Sequence, residues 1–223
     1  QAQIGYYACI THLDHQIGRL IMALIEQELY DDTVFLFTSD HGEELCDHHM
    51  FRKSRPYEGS CHIPLFVTAG KHVLPDLKAG SVCHSVAELR DIMPTLLDIA
   101  GAQIPASVDG KSLLPLTESP EKVQREWLHG EHSYDVFSNH WIVTETDKYI
   151  WHSQTGQEQY FDLASDPHEL TDLIMDPSRQ NRIRELRTYL VQSLKDRPEG
   201  FTDGEDLIPG RPYSPSLPEA LLP

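Results

Sequence analysis

The sequence predicts an α/β fold followed by a small α+β domain, and three patterns lead to this prediction. Apolar residues recur at helical spacing over residues 4–29, and an apolar, β-prone run follows at residues 33–38. A helix that leads into a buried strand is typical of α/β proteins. After residue 125, several short β-rich segments precede one amphipathic helix, which is typical of a small sheet covered by a helix.

The first predicted helix occupies residues 4–29, and polar residues fill the face opposite its apolar one. The apolar face is formed by Ile10, Leu13, Ile17, Leu20, Ile21, Leu24 and Ile25. Two aspartates interrupt the pattern before residues 33–38, which have the composition of a buried strand of the parallel type. That strand ends in a polar turn at residues 39–44, the edge at which open α/β sheets place their ligands.

Two further elements complete the α/β part. Residues 63–67 are a second candidate for a buried strand, and residues 85–100 have the apolar spacing of a helix. Pro94 either kinks that helix or lies in the first turn of a shorter one. Three prolines within residues 101–120 predict a loop-rich connector.

The small domain is predicted from four short β-rich segments near residues 127–130, 141–146, 148–152 and 159–163. Thr155-Gly156 has the composition of a hairpin turn, and residues 178–197 have the apolar stripe of a covering helix that Pro198 ends. We therefore expect three regions: an α/β part at 1–124, an α+β subdomain at 125–198, and a proline-rich tail at 199–223 that is extended or disordered.

Composition excludes several classes of function. The chain has 223 residues, 39% of them hydrophobic, so it is long and apolar enough to bury a core. A formal net charge of −17 disfavours a nucleic-acid partner. No apolar run approaches the roughly 20 residues of a membrane span. Four cysteines without a C-x-x-C pair predict neither a disulfide scaffold nor a cysteine metal site, and they do not indicate a compartment.

Asp40 and His41 are the first candidate metal ligands. A carboxylate and an imidazole directly after a buried strand can both bind one divalent cation, although Asp-His-Gly is also a common turn. Lys53 follows twelve residues after His41. A loop lysine is usually only solvated, but beside a metal its ammonium can bind a tetrahedral oxyanion and stabilise charge on a leaving oxygen.

Further polar residues are weaker candidates. His48 could reach the same site as a catalytic residue, although a loop histidine is more often structural or solvated, and His49 is less favoured. Tyr57 and Glu58 are expected to support the loop through hydrogen bonds. A separate cluster of His129, Glu131 and His132 has residue types found at metal sites; it is either an ordinary surface cluster or a substrate contact.

These motifs together resemble a known family. The run Thr38-Ser-Asp-His-Gly-Glu43, then Asp47-His48, then Lys53-x-x-Pro-Tyr57-Glu58-Gly59-x-x-x-Ile-Pro64 is similar to the central motif of sulfatases of the alkaline phosphatase superfamily. The resemblance extends to the preceding helix, to Asp91-Ile-Met-Pro94 and Asp109-Gly110-x-Ser112, and to the Phe161-Asp-Leu-x-x-Asp166-Pro-x-Glu169 stretch. It covers nearly all of residues 6–197.

The resemblance implies the carboxyl-terminal part of an alkaline-phosphatase-like sandwich plus the small domain, acting in metal-dependent hydrolysis of a small sulfate ester. Asp40 and His41 would be metal ligands, and Lys53 would bind the substrate oxyanion. The cation is usually calcium in this family. Many sulfatases have Asn where this chain has His41, whereas related phosphonate monoester and phosphodiester hydrolases use His, so manganese and those esters remain alternatives. Sulfatases are often exported, which favours a periplasmic or extracellular location.

Two parts of the family pattern do not occur in this sequence. One is the Cys/Ser-x-Pro-x-Arg motif that yields the formylglycine nucleophile, and the other is the pair of aspartate ligands that precedes this motif in the family. In the family these segments come before the helix at which this sequence begins. We therefore expect a carboxyl-terminal fragment that is inactive without its amino-terminal half. A non-catalytic accessory module is the alternative from a different class.

Overall fold

The computed structural model describes residues 1–134 and 137–213, which form two compact units. The first unit comprises residues 1–40 and 63–122, and the described part of the second comprises residues 41–62, 123–134 and 137–213. The helices are α1 (Ala2–Glu26), α2 (Glu58–Cys61), α3 (Ile92–Ile99), α4 (Leu114–Glu118) and α5 (Gln180–Leu194). The strands are β1 (Val34–Thr38), β2 (Leu65–Ala69), β3 (Leu128–Tyr134), β4 (Phe137–Val143), β5 (Asp147–His152) and β6 (Gln157–Asp162).

The helix predicted for residues 4–29 is confirmed as α1, which ends three residues earlier, at Glu26. Glu28 adopts a left-handed conformation (φ 59°), which cannot continue an α-helix. None of the residues of α1 is buried, and the side chains of Ile10 and Leu13 are about half exposed. The amphipathic pattern therefore predicted the helix correctly without determining how much of its apolar face is covered.

The two strands of the first unit pair with each other. β1 and β2 are antiparallel, with Leu36 opposite Val67 and Thr38 opposite Leu65. The sequence predicted a buried strand of the parallel type at residues 33–38. This prediction is wrong, because β1 pairs antiparallel with β2 and all five of its residues are only partly buried. An apolar run indicates that a strand has covered faces, but the direction of its partner depends on the path of the chain between them.

The helix predicted for residues 85–100 is shorter than expected. A 3-10 turn at Leu89–Asp91 precedes α3, and Pro94 is the third residue of α3, as the shorter alternative predicted. The carboxylate of fully buried Asp91 accepts hydrogen bonds from the backbone amides of Glu88 (2.9 Å) and Lys111 (2.8 Å). These bonds join two segments of the sequence resemblance. The connector at residues 101–120 is mostly loop, as expected, and contains the short helix α4.

The second unit contains the small antiparallel sheet and covering helix that the sequence predicts. Its strands lie in the order β3-β4-β5-β6, and the predicted turn at Thr155-Gly156 joins β5 to β6, with Gly156 at φ 75°. The buried face of α5 packs on the sheet. The core is formed by Ile142, Tyr149, Trp151, Tyr160, Ile183, Leu186, Leu190, Leu194 and Phe201.

The predicted tail begins with ordered chain. Phe201 is buried in the core, and Thr202 forms an isolated bridge with Leu207, whereas residues 214–223 lie outside the described part. Among the described residues, no helix is both long and apolar enough to cross a membrane. The predicted domain boundaries at residues 124 and 198 stay a prediction. Residues 41–62 belong to the same compact unit as the small sheet.

Candidate functional site

The first predicted ligand pair lies just after β1. Asp40 is the second residue beyond the strand and is exposed, and partly buried His41 follows it directly. The Nδ1 atom of His41 lies 2.8 Å from the carbonyl oxygen of Gly42, so Nδ1 carries the proton and donates it there. This tautomer leaves the ring lone pair on Nε2, which is the electronic state that a metal-ligating imidazole requires.

From His41, the chain forms a compact loop through residue 57, which we call the motif loop. The amide of Gly42 donates to the carbonyl of Ser60 (2.8 Å), and the amide of Glu44 donates to the carbonyl of Arg52 (3.0 Å). Gly42 contacts the backbone of Gly59 so closely that any Cβ at position 42 would clash with the Gly59 carbonyl oxygen. A glycine at this point of the motif therefore allows two backbone segments to approach each other.

The motif loop has a strained backbone. Six of its residues that are not glycine have positive φ, and they fall within ten positions: Leu45, Cys46, His48, His49, Arg52 and Ser54. Such conformations cost about 1–3 kcal/mol each in non-glycine residues, and they persist only where the surrounding structure enforces them. Strain of this kind concentrates at functional sites in proteins.

His48 and Lys53 both lie in this loop. The ring of His48 stacks on the ring of Tyr57, with centroids 4.1 Å apart and planes 17° apart, and the Tyr57 hydroxyl donates to Gln159 Oε1 (3.1 Å). His48 is therefore held by an aromatic contact that the small sheet supports. Lys53 is exposed and forms no ion pair with any described residue, so its ammonium is accessible to solvent and to an anion.

A buried lysine fixes the carboxyl-terminal end of the motif loop. Lys148 of β5 is fully buried, and its Nζ atom lies 2.6 Å from Glu58 Oε1, 2.8 Å from Glu169 Oε1 and 3.0 Å from the Pro56 carbonyl oxygen. Glu169 Oε2 also accepts the amide of Glu58 at 2.6 Å. These contacts connect the Tyr57-Glu58-Gly59 and Asp166-Pro-x-Glu169 motifs, which are more than 100 residues apart in the chain.

The electrostatic interactions within this cluster keep Glu58 and Lys148 charged. Burial raises the pKa of Glu58, but the hydrogen bond with His62 and the charge of Lys148 outweigh that effect and lower it to about 2. Burial lowers the pKa of Lys148, but the adjacent carboxylates Glu58 and Glu169 outweigh that effect and raise it. A lysine in this setting is an anchor rather than a proton donor, since it stays protonated.

Glu44 has the opposite environment. Its side chain is 1% exposed, and neither carboxyl oxygen has a hydrogen-bond partner among the described residues. Burial, and then the charge of Glu169, raises its pKa to about 7. One carboxyl oxygen would lie 2.7 Å from a Cβ built on Gly59, so Glu44 also occupies the space that this glycine leaves.

Sequence reasoning missed the roles of Lys148, Glu169 and Glu44. The sequence marks Glu169 only as part of a motif. Lys148 lies in a strand whose other residues are common in β-strands, so nothing nearby indicates that its charge is buried. The one available signal is a lysine beside a run of strongly apolar strand residues, Tyr149, Ile150 and Trp151. A charge at such a position needs a buried partner, but the sequence does not identify that partner.

The fold and the motif loop define the carboxyl-terminal part of a sulfatase-type protein of the alkaline phosphatase superfamily. Residues 46–196 match the model of the family described as "N-sulphoglucosamine sulphohydrolase, C-terminal". The chain belongs to this family. The matched segment contains His48, Lys53, Lys148 and Glu169, and it begins five residues after His41.

Known proteins with the same architecture span more chain than this one. An arylsulfatase of Clostridium perfringens (strain 13 / Type A) is 50% identical over 214 residues, covering 96% of this chain and 44% of the relative. A solved structure in complex with its substrate D-glucosamine-2-N,6-O-disulfate is 27% identical, with a TM-score of 0.77, covering 83% of this chain and 39% of that chain. This sequence therefore spans less than half of the length of either protein.

A solved structure of a phosphonate monoester hydrolase from Agrobacterium radiobacter is also similar. It is 29% identical with a TM-score of 0.70, covering 83% of this chain and 39% of that chain. The fold is therefore shared by proteins described as acting on sulfate and on phosphonate esters. The choice between these esters has to come from the site rather than from the fold.

Proposed function

We propose that the complete protein hydrolyses small sulfate esters with the help of a divalent cation, and that this chain supplies two metal ligands and an oxyanion-binding lysine. The motif loop carries the proposal, because it holds His41, His48 and Lys53 in one strained segment. The family match and the similarity to an arylsulfatase support the same activity.

In this proposal Asp40 and His41 hold the cation. A carboxylate is a preferred ligand of calcium, and the Nε2 lone pair of His41 is a ligand suited to manganese and other transition metals, so both residues fit a divalent cation. Calcium takes six to eight oxygen ligands, so other residues of the protein would complete the site. A bound cation would polarise the ester oxygen that it contacts.

Lys53 binds the oxyanion of the substrate in this proposal. Its ammonium is exposed, and its charge would offset the negative charge that develops as the ester bond breaks. His48 is the candidate for exchanging a proton with the leaving oxygen, because histidine is the side chain that most often acts as a general acid or base in proteins. The stack on Tyr57 would orient its ring during that step.

The nucleophile in this proposal lies in an amino-terminal half that this chain does not include. The resemblance implies a formylglycine formed there from a Cys or Ser. The chain accounts for 44% of the arylsulfatase that it matches, which is in keeping with a divided active site. We propose that this chain without that half does not turn over substrate.

Phosphonate monoester hydrolysis is a second candidate for the same site. His41, rather than an asparagine, is the observation that favours it, together with the 29% identity to the phosphonate monoester hydrolase. Both activities would use the same cation ligands and the same lysine. Turnover of an aryl sulfate and of a phenylphosphonate ester by the complete protein separates them.

The experiment uses the complete protein, stripped of metal by a chelator and reloaded with calcium or manganese. We expect Asp40→Ala to abolish metal-dependent turnover. We expect Lys53→Ala to lower kcat/KM by an amount that corresponds to a loss of about 2–4 kcal/mol of transition-state stabilisation. Lys122→Ala, which removes another exposed lysine, should leave kcat/KM unchanged. Wild-type rates in both Asp40→Ala and Lys53→Ala would refute the site. Absence of turnover by the complete wild-type protein would favour the accessory module.

A further inference from the structure

A second group of possible metal ligands lies on the small sheet. His129 and Glu131 are two positions apart on β3, so their side chains emerge on the same face. Glu131 is directly opposite His140 of β4, and His129 is diagonal to it. Antiparallel register therefore brings two imidazoles and one carboxylate to one point of the sheet.

The distances within this group match those between ligands of one ion. His129 Nε2 lies 3.3 Å from His140 Nδ1, and His140 Nδ1 lies 3.5 Å from Glu131 Oε2. One ligand atom from each of the three residues lies within 4.8 Å of the other two. Ligands placed tetrahedrally around zinc at about 2.0–2.1 Å are separated by about 3.3 Å. Two of the three pairs therefore have nearly this separation, and the third pair lies within 4.8 Å.

The surroundings hold the central ligand in place. His140 is 1% exposed, and its ring contacts Trp151 and Phe201 at centroid distances of 5.7 and 4.9 Å. An imidazole held in a buried aromatic setting is a preorganised nitrogen ligand.

Glu131 also contacts Arg197, whose Nη1 atom lies 2.9 and 3.0 Å from its two oxygens. This ion pair is compatible with a metal, because a carboxylate has about four lone-pair sites and can accept from arginine while binding a cation. Arg197 is in addition paired with Glu199 (2.9 Å), so its charge stays compensated. The arginine then fixes the orientation of the ligand, as outer hydrogen bonds do in metal sites.

A groove opens beside Glu131, one of the three proposed ligands. It is an open cavity of about 320 Å³, and its walls are formed by Glu131, His132, Ser133, Arg197, Glu199, Phe201 and Tyr213. Proteins use a set of two histidines and one glutamate to bind zinc, with water in the fourth coordination position. The cavity is large enough to admit water or a small anion to the Glu131 side of the group.

From this arrangement we infer that His129, Glu131 and His140 form a transition-metal site that binds one Zn²⁺, separate from Asp40 and His41. Two of the three donors are imidazole nitrogens, which zinc accepts and calcium, an ion that prefers oxygen, does not. The inference does not depend on the proposed hydrolysis, because none of its ligands belongs to the motif loop.

Zinc binding by the complete protein tests the inference. The protein is stripped with a chelator and saturated with calcium, and it is then titrated with ZnCl₂ against a chromophoric chelator. We expect one zinc equivalent that His129→Gln and Glu131→Gln each weaken by more than ~100-fold, because changes to outer hydrogen bonds alone already cost 10–100-fold. Co²⁺ in place of Zn²⁺ should give the intense visible absorption of four-coordinate cobalt.

His132→Gln is the matched control, because His132 is adjacent in sequence but its side chain lies on the opposite face of β3. It should keep the zinc equivalent and the cobalt spectrum. Glu131 is exposed, so Glu131→Gln is expected to fold, and far-UV circular dichroism checks this. Equal zinc affinity in the wild type and both ligand variants, or loss of the site in His132→Gln alone, would overturn the inference.

Discussion

Lys148 Nζ and Glu58 Oε1 are 2.6 Å apart in the interior of the second unit. Lys148 is on β5, one of the two inner strands of the sheet, and Glu58 begins the short helix that follows the motif loop. Their ion pair, together with Glu169, therefore attaches the segment carrying His48 and Lys53 to the rigid sheet. A loop with this many strained residues requires such an attachment, because its own backbone conformations oppose its folding.

Replacing Lys148 by methionine should strongly destabilise the protein. The substitution preserves much of the side-chain volume but leaves the carboxylates of Glu58 and Glu169 without their buried counter-charge. Removing one partner of a buried ion pair costs about 3–5 kcal/mol. Urea unfolding followed by circular dichroism measures the change in the free energy of unfolding.

Lys195→Met is the control for that experiment, because Lys195 is exposed just beyond α5. A substitution at such a position should change the free energy of unfolding by less than about 0.5 kcal/mol. If Lys148→Met were no more destabilising than Lys195→Met, the buried cluster would not anchor the motif loop.

Stability should depend on Glu58 at acid pH. Its pKa is about 2 in the folded protein and near 4.5 in the unfolded chain, so between these values the unfolded chain binds more protons. The stabilisation is therefore complete above about pH 4.5 and is lost as the pH falls toward 2. We expect the free energies of unfolding of the wild type and Glu58→Gln to converge as the pH falls from 5 to 3. A constant difference over this range would contradict the assignment.

Glu44 should show the opposite dependence. Its folded pKa of about 7 is above its unfolded value, so its contribution is fully present below about pH 4.5 and is lost as the pH rises through 7. Glu44→Gln removes the cost of a buried charge that has no partner among the described residues, and it should stabilise the protein at pH 8 by about 1–3 kcal/mol. At pH 4 the gain should disappear. Thermal unfolding at both pH values checks this, and destabilisation at pH 8 would refute it.

Two glycines should respond to alanine with opposite signs. Gly42→Ala places a Cβ against the carbonyl of Gly59 and should destabilise the motif loop by about 1–3 kcal/mol. Gly18 lies within α1, where an added Cβ would meet no neighbouring atom within 4 Å, so Gly18→Ala should stabilise the helix by up to about 1 kcal/mol. Changes of the same sign in urea unfolding would show that close approach does not explain Gly42.

Local patterns account for most of the elements. The apolar period of residues 4–29 predicted α1, Pro94 indicated the start of a shorter α3, and Gly156 marked the β5–β6 turn. Each of these depends on neighbours within a few positions, which is the information that periodicity and turn chemistry contain. The direction of β1 was predicted wrongly, because strand pairing joins residues about 30 positions apart.

The sequence likewise determined some features of the candidate site, and the tertiary structure determined others. The sequence by itself determined that a carboxylate, an imidazole and a lysine follow β1 within one polar segment, and that this segment resembles a sulfatase motif. Only the tertiary structure decided that Lys148 is buried against Glu58 and Glu169, and that His140 lies beside His129 and Glu131. The physical reason is that burial and ion pairing depend on which distant segments meet, and no local pattern of residues records that.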